Sequence, residues 1–113
     1  MIKVLIATKG KVLGLRVIGH AGYAEVGKDI VCSSASILAY TVAQIVKEAE
    51  DQGDLASPAT IRIEAGDTVV ACEPKKKWLD AMRGAYFFAK KGYTLLAHNY
   101  PQFVELIIDG EAE

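Results

Sequence analysis

Ile2-Lys-Val-Leu-Ile-Ala-Thr-Lys-Gly-Lys-Val-Leu-Gly-Leu-Arg-Val-Ile18 holds two apolar runs of period two, separated by the turn-forming Thr8-Lys9-Gly10-Lys11. Ile2, Val4 and Ile6 share one side of the first run, and Leu13, Leu15 and Val17 one side of the second, which predicts a β-hairpin. A second pair of strands is expected at Thr60–Ala65 and Thr68–Glu73, joined at Gly66-Asp67, where glycine supplies a positive φ. A fifth, Gln102–Ile108, follows Pro101, and the tail Asp109-Gly110-Glu111-Ala112-Glu113 is expected to fray.

Between the hairpins the period changes. Leu38, Val42, Ile45 and Ala49 recur at helical spacing, predicting a helix from about Ile30 to Glu50 with Asp29 as its N-cap. A second helix is expected from near Lys75 to just before Asn99, carrying Leu79, Met82, Tyr86, Ala89, Tyr93 and Leu96 on one face. Gly92 resembles a C-cap, but the period runs through it, so one long helix is expected with Gly84 and Gly92 as weak points. The order ββαββαβ implies an α+β fold: a five-stranded, mainly antiparallel sheet with two helices packed on it.

The 113 residues suit one domain spanning 1–113, and 51% apolar with 24% charged residues argues for a packed core. Thirteen basic against fourteen acidic residues leave a net charge of −1, which gives nucleic acid or anionic lipid little long-range attraction. No window approaches the roughly 20 continuous apolar residues of a membrane span. Lys3 and Lys9 make the start unlike a secretory signal, so a cytoplasmic protein with both Cys32 and Cys72 reduced is expected.

Chemistry concentrates between His20 and Ser36. A strand ends at Gly19, a loop with Gly22 and Gly27 follows, and a helix opens with Cys32 in its first turn. Unpaired N–H groups and the macrodipole at a helix N-terminus stabilise a negative sulfur, and the same N–H groups could face the oxyanion formed when sulfur attacks a carbonyl. His20, brought across by the loop, could pair with the thiolate and protonate a departing amine, the elements of acyl transfer. Ser36 shares the face of Cys32, and Asp29 could orient His20 instead of capping the helix.

Each residue also has a purely structural role open to it. Cysteine is among the most buried residue types, and Cys32, Ser36, Ala39 and Ala43 form a small-residue stripe suited to close packing. The glycines around His20 do not match a G-x-G-x-x-G phosphate loop, and Cys32, Cys72, His20 and His98 lack metal-ligand spacing, so neither a nucleotide nor a metal is expected. Cys72 fits a strand, and His98 suits a helix C-terminus. Lys75-Lys76-Lys77 reads as a solvated face, and Trp78, Phe87 and Phe88 as core or subunit contacts.

Gly19-His20-Ala21, then Asp29-Ile30-Val31-Cys32 and Ser36, resembles the ribosomal-processing cysteine protease family (Prp), across nearly the whole chain. The resemblance implies His20 and Cys32 as the catalytic pair, with Asp29 and Ser36 in support. It implies a loop over Ala21–Lys28 that closes on bound peptide, placing Gly22, Tyr23, Gly27 and Ser33 near substrate. It also implies a homodimer acting in ribosome biogenesis, removing the N-terminal extension of a large-subunit ribosomal protein precursor, with no cofactor. Ser33 departs from the alanine common in the family. The competing reading is a non-catalytic ribosome-assembly or RNA-binding module using Lys75–Lys77. A thiol redox sensor is a third, though no resolving cysteine is adjacent.

Overall fold

The alternation of the opening stretch becomes a sheet with one covered face. In the computed structural model, which describes residues 1–25 and 27–112, β1 (Ile2–Ala7) pairs antiparallel with β2 (Leu13–Ile18). Ile2, Val4, Ile6, Leu13 and Leu15 are buried together, as period-two pairing in this register requires. Val26 and Glu113 lie outside the described residues.

Helix α1 (Ile30–Asp51) leads to β3 (Thr60–Glu64) and β4 (Asp67–Cys72), then α2 (Leu79–Asn99), β5 (Val104–Ile108) and β6 (Glu111–Ala112). The sheet order is β3-β4-β2-β1-β5-β6, with β1 and β5 the parallel pair. Both helices pack on the buried face, where Val31, Ala35, Val42 and Val46 of α1 and Met82, Tyr86 and Tyr93 of α2 complete the core. The α+β architecture and the order of its five main strands and two helices are as expected.

Four boundaries differ. A sixth strand forms where a frayed tail was expected, because Asp109 (φ 49°) and Gly110 (φ 85°) make a tight turn that returns Glu111 and Ala112 to β5. The second hairpin turns at Ala65-Gly66, one residue earlier than expected. Asp67 pairs opposite Glu64 as the first residue of β4, and Arg16 and Arg62 hold its carboxylate at 3.1 and 2.8 Å. Helix α2 starts at Leu79 after a 3-10 turn at Lys76–Trp78, since Pro74 and the extended Lys75 delay α geometry, and it continues through Asn99. Residues 101–103 form a turn, so β5 begins at Val104.

By length and composition α1 is apolar enough to cross a bilayer, contrary to the sequence expectation; one face of it is buried against the sheet, while Ile30, Ile37 and Ile45 are exposed. Two tyrosines join the layers. The hydroxyl of Tyr86 donates to the Val70 carbonyl at 2.9 Å and that of Tyr93 to the Ala35 carbonyl at 2.8 Å. Burial pushes both phenols up, so each stays a neutral donor.

Gly92 lies inside α2 at a close approach of the two helices: a Cβ there would stand 2.8 Å from both Leu38 methyl carbons. At Gly84 nothing comes within 4 Å of an added Cβ. Replacing Gly84 by Ala is therefore expected to stabilise the fold by about 0.4–1 kcal/mol. Gly92→Ala is expected to lose that gain to displacement of Leu38. Thermal melts of the two variants check this: Gly84→Ala melts above the parent and Gly92→Ala does not.

Candidate active site

The loop after β2 is fixed to α1 by one carboxylate. Asp29 is the N-cap, and its Oδ1 accepts from the N–H groups of Val31 and Cys32, both at 3.0 Å. Its Oδ2 turns back to the loop and accepts from Tyr23 N–H at 3.0 Å and Ala24 N–H at 3.3 Å. These bonds, led by the one from Cys32 N–H, hold the Asp29 carboxyl below the usual carboxylate range although its burial, only 7% exposed, opposes this. Asp29 is thus a cap and a loop tether: among the described residues its carboxylate accepts from four backbone N–H groups, with a lesser side-chain interaction with Cys32, and not from His20.

The same bonds change the origin of any sulfur stabilisation. With the Val31 and Cys32 N–H groups on Oδ1, and Ser33 N–H on the Asp29 carbonyl at 3.0 Å, these three N–H groups are not the free oxyanion donors the sequence suggested. Instead the loop supplies a donor: Ala21 N–H points at Cys32 Sγ, 3.2 Å away. Cys32 is half-buried.

His20 and Cys32 line one cleft of about 280 Å³, together with Ser36, Tyr40, Ile63, Gly66 and Thr68. His20 is exposed and, among the described residues, makes no hydrogen bond to Cys32 or Asp29. It rests on the β3–β4 turn, where a Cβ on Gly66 would stand 2.9 Å from the imidazole Nε2. Gly66 thus meets two demands, a φ of +74° and room for the ring. The Gly66 carbonyl also accepts from Gly19 N–H at 2.8 Å, fixing the turn beside the residue before His20.

The structure therefore brings His20, Cys32 and Ser36 together. Gly22, Gly27 and Ser33 are exposed and do not line the cleft. Tyr23 packs edge-on against Tyr100 and Phe103, with centroids 5.5 and 5.3 Å away, so its ring anchors the loop to the α2–β5 connection. Tyr40, Ile63, Gly66 and Thr68 were not assigned to the site in sequence: Ile63, Gly66 and Thr68 reach the cleft only when β3 and β4 return beside β2, whereas Tyr40 lies on α1 one turn beyond Ser36, a spacing that could have found it. Cys72 is buried with its sulfur 3.9 Å from the Tyr86 hydroxyl, and burial pushes its thiol up, so it is inert. Among the described residues no three His, Cys, Asp or Glu side chains converge as a metal-ligand set.

A family model described as cysteine protease Prp matches residues 1–105. The chain belongs to this family. As a Prp-family protein it is a cysteine protease, which displaces the non-catalytic RNA-binding alternative. Comparison with curated proteins finds no match. Among solved structures, the essential ribosomal processing protease Prp from S. aureus, with a covalently linked product peptide, superposes with a TM-score of 0.71 at 18% identity, over 96% of this chain and 99% of that one. The same S. aureus protease with a substrate peptide gives 0.66 at 17% identity, over 96% and 99%. SMU.848 from Streptococcus mutans gives 0.66 at 25% identity, over 96% and 93%. This Prp-family chain shares their fold across nearly its whole length.

Proposed function

We propose that this Prp-family protease removes the N-terminal extension of a large-subunit ribosomal protein precursor, using Cys32 as nucleophile and His20 as general base and acid. The observation that carries the assignment is the shared cleft: the cysteine in the first turn of α1 and the histidine after β2 both line it. Ala21 N–H, aimed at Sγ, favours negative charge on sulfur.

In the reaction the Cys32 thiol passes its proton to His20 and sulfur adds to the scissile carbonyl. Collapse of the tetrahedral intermediate breaks the C–N bond, and His20 returns the proton to the leaving amine. Water, deprotonated by His20, then hydrolyses the thioester and regenerates the thiol. No cofactor enters this scheme. His20 is exposed, and the pair tightens when peptide fills the cleft and excludes water. Ser36, one turn beyond Cys32 on the cleft wall, is placed to hydrogen-bond substrate or imidazole. Action in ribosome biogenesis is supported by the ribosomal processing activity of the S. aureus proteases, and a cytoplasmic homodimer completes the reading.

Incubation of a synthetic peptide spanning the precursor's extension junction, followed by mass spectrometry, tests it. One cut, releasing the mature N-terminus, is expected. An uncut peptide after prolonged incubation with reduced enzyme would remove this substrate.

A further inference from the structure

The catalytic cleft continues into a second depression. A groove of about 510 Å³ runs between α1 and β3, lined by Tyr40, Ala43, Gln44, Ile61 and Ile63. Tyr40 and Ile63 belong to both, so the two spaces meet at these side chains. Ile63 points to the sheet face that the helices cover elsewhere, yet it is 52% exposed, and Tyr40 across from it is 44% exposed.

Strand β3 is the edge of the sheet. Its hairpin closes on the Glu64–Asp67 pair around the two-residue turn Ala65-Gly66, which makes that pair a hydrogen-bonded one. Alternation then turns the backbone N–H and C=O of Arg62 toward β4 and those of Ile61 and Ile63 toward the open edge. Edge strands are commonly blocked by proline, a bulge or charges. Thr60–Glu64 has no proline, and its charges, Arg62 and Glu64, alternate with the groove-facing isoleucines. The charged side chains in the groove already have partners: Lys47 bonds Asp51, and Glu50 accepts from Ala59 N–H. Among the described residues Tyr40, Ile61 and Ile63 then offer a ligand apolar surface beside the edge of β3.

We propose that an extended segment of the peptide substrate pairs as a strand with the free edge of β3 and lowers alternate apolar side chains into the groove between β3 and α1. This deepens the protease reading and rests on it for the identity of the peptide. The strand edge supplies sequence-independent backbone hydrogen bonds, and the Ile61, Ile63 and Tyr40 wall selects uncharged side chains at every second position. The continuity through Tyr40 and Ile63 leads such a strand directly to Cys32 and His20.

The test measures binding apart from cleavage. Fluorescein-labelled junction peptides, one long and one trimmed to the residues flanking the scissile bond, are titrated into the Cys32→Ala protein. A set of long peptides N-methylated at one position each is titrated alongside. The long peptide is expected to bind at least about tenfold tighter than the trimmed one. N-methylation is expected to weaken binding about three- to tenfold at alternate positions only, since each methyl removes one hydrogen bond. Ile61→Glu in the same background is expected to weaken the long peptide and spare the trimmed one. Circular dichroism confirms that this variant is folded, and the methylation scan needs no variant in the groove. Equal affinity of long and trimmed peptides, or N-methyl effects without a period of two, would overturn the proposal. If the scan alternates while the parent protein fails to cut, the groove assignment stands and the protease assignment of the cleft falls.

Discussion

Cys32→Ala is expected to cut the junction peptide at the uncatalysed rate, a loss of about 10⁴-fold or more in kcat, with His20→Ala close behind. Alanine removes the sulfur that forms the acyl intermediate, and the other thiol, Cys72, is buried beside the Tyr86 hydroxyl away from the cleft lining. His20→Ala leaves the thiol without a proton acceptor and the amine without a donor. Because the two act in one step, the double variant is expected to be no worse than the single ones. Single-turnover cleavage followed by mass spectrometry gives the rates. Parental activity in either single variant would remove that residue from the mechanism, and Cys72→Ala serves as the active control.

Asp29→Asn separates two roles that the carboxylate combines. An amide oxygen can still accept from Val31 and Cys32 N–H, so α1 stays capped, but the amide NH2 then faces the Tyr23 and Ala24 N–H groups, donor against donor. The loop loosens, and the Ala21 N–H it aims at sulfur loses its position. A fall of about 10²-fold in kcat/KM is expected, the scale of a misplacement of roughly 1 Å at a reacting group. The melting temperature at neutral pH is expected to fall as well, because the bonds to Tyr23 and Ala24 N–H and the stability linked to the depressed pKa are lost. Asp29→Ala loses cap and tether together, so its melting temperature falls further.

The pH dependence has a definite sign. The folded-state pKa of Asp29 is depressed, so its contribution to stability is present above the unfolded value of about 3.9 and is lost as pH falls through the lower folded value. Asp67, held by Arg16 and then Arg62, and Asp109, held by Thr8 N–H, are shifted the same way. Asp29→Asn should therefore make the acid limb of the stability curve shallower without flattening it. Thermal melts between pH 2 and pH 5 check this, and an unchanged limb would mean that Asp29 is not the depressed carboxylate.

Much of the fold was open to reading because its signals are local. Period two at Ile2–Ile6 and Leu13–Val17, and period 3.6 along both helices, depend only on which side of an element faces the core. The errors lie where a neighbour decides. Asp67 belongs to β4 because Arg16 of β2 and Arg62 of β3 grip it, so the turn falls one residue earlier than Gly66-Asp67 suggests. Asp109-Gly110 did carry a turn signal, but whether Glu111 and Ala112 pair depends on β5 presenting a free edge. Gly92 looked like a flaw in α2 and proves to be a contact with Leu38, across a chain separation no periodicity registers.

The order of strands and helices, the Asp29 cap and the placing of Cys32 in a first turn were determined by sequence alone, since all three follow from backbone groups and side chains a few residues apart. Only the tertiary structure decided that the Val31 and Cys32 N–H groups serve Asp29 and that a loop N–H reaches the sulfur. It also decided that the imidazole rests over Gly66 and that the cleft opens along an unpaired strand edge. These arrangements depend on hydrogen bonds and close approaches between segments that meet only once the sheet is assembled, and no local pattern encodes such meetings.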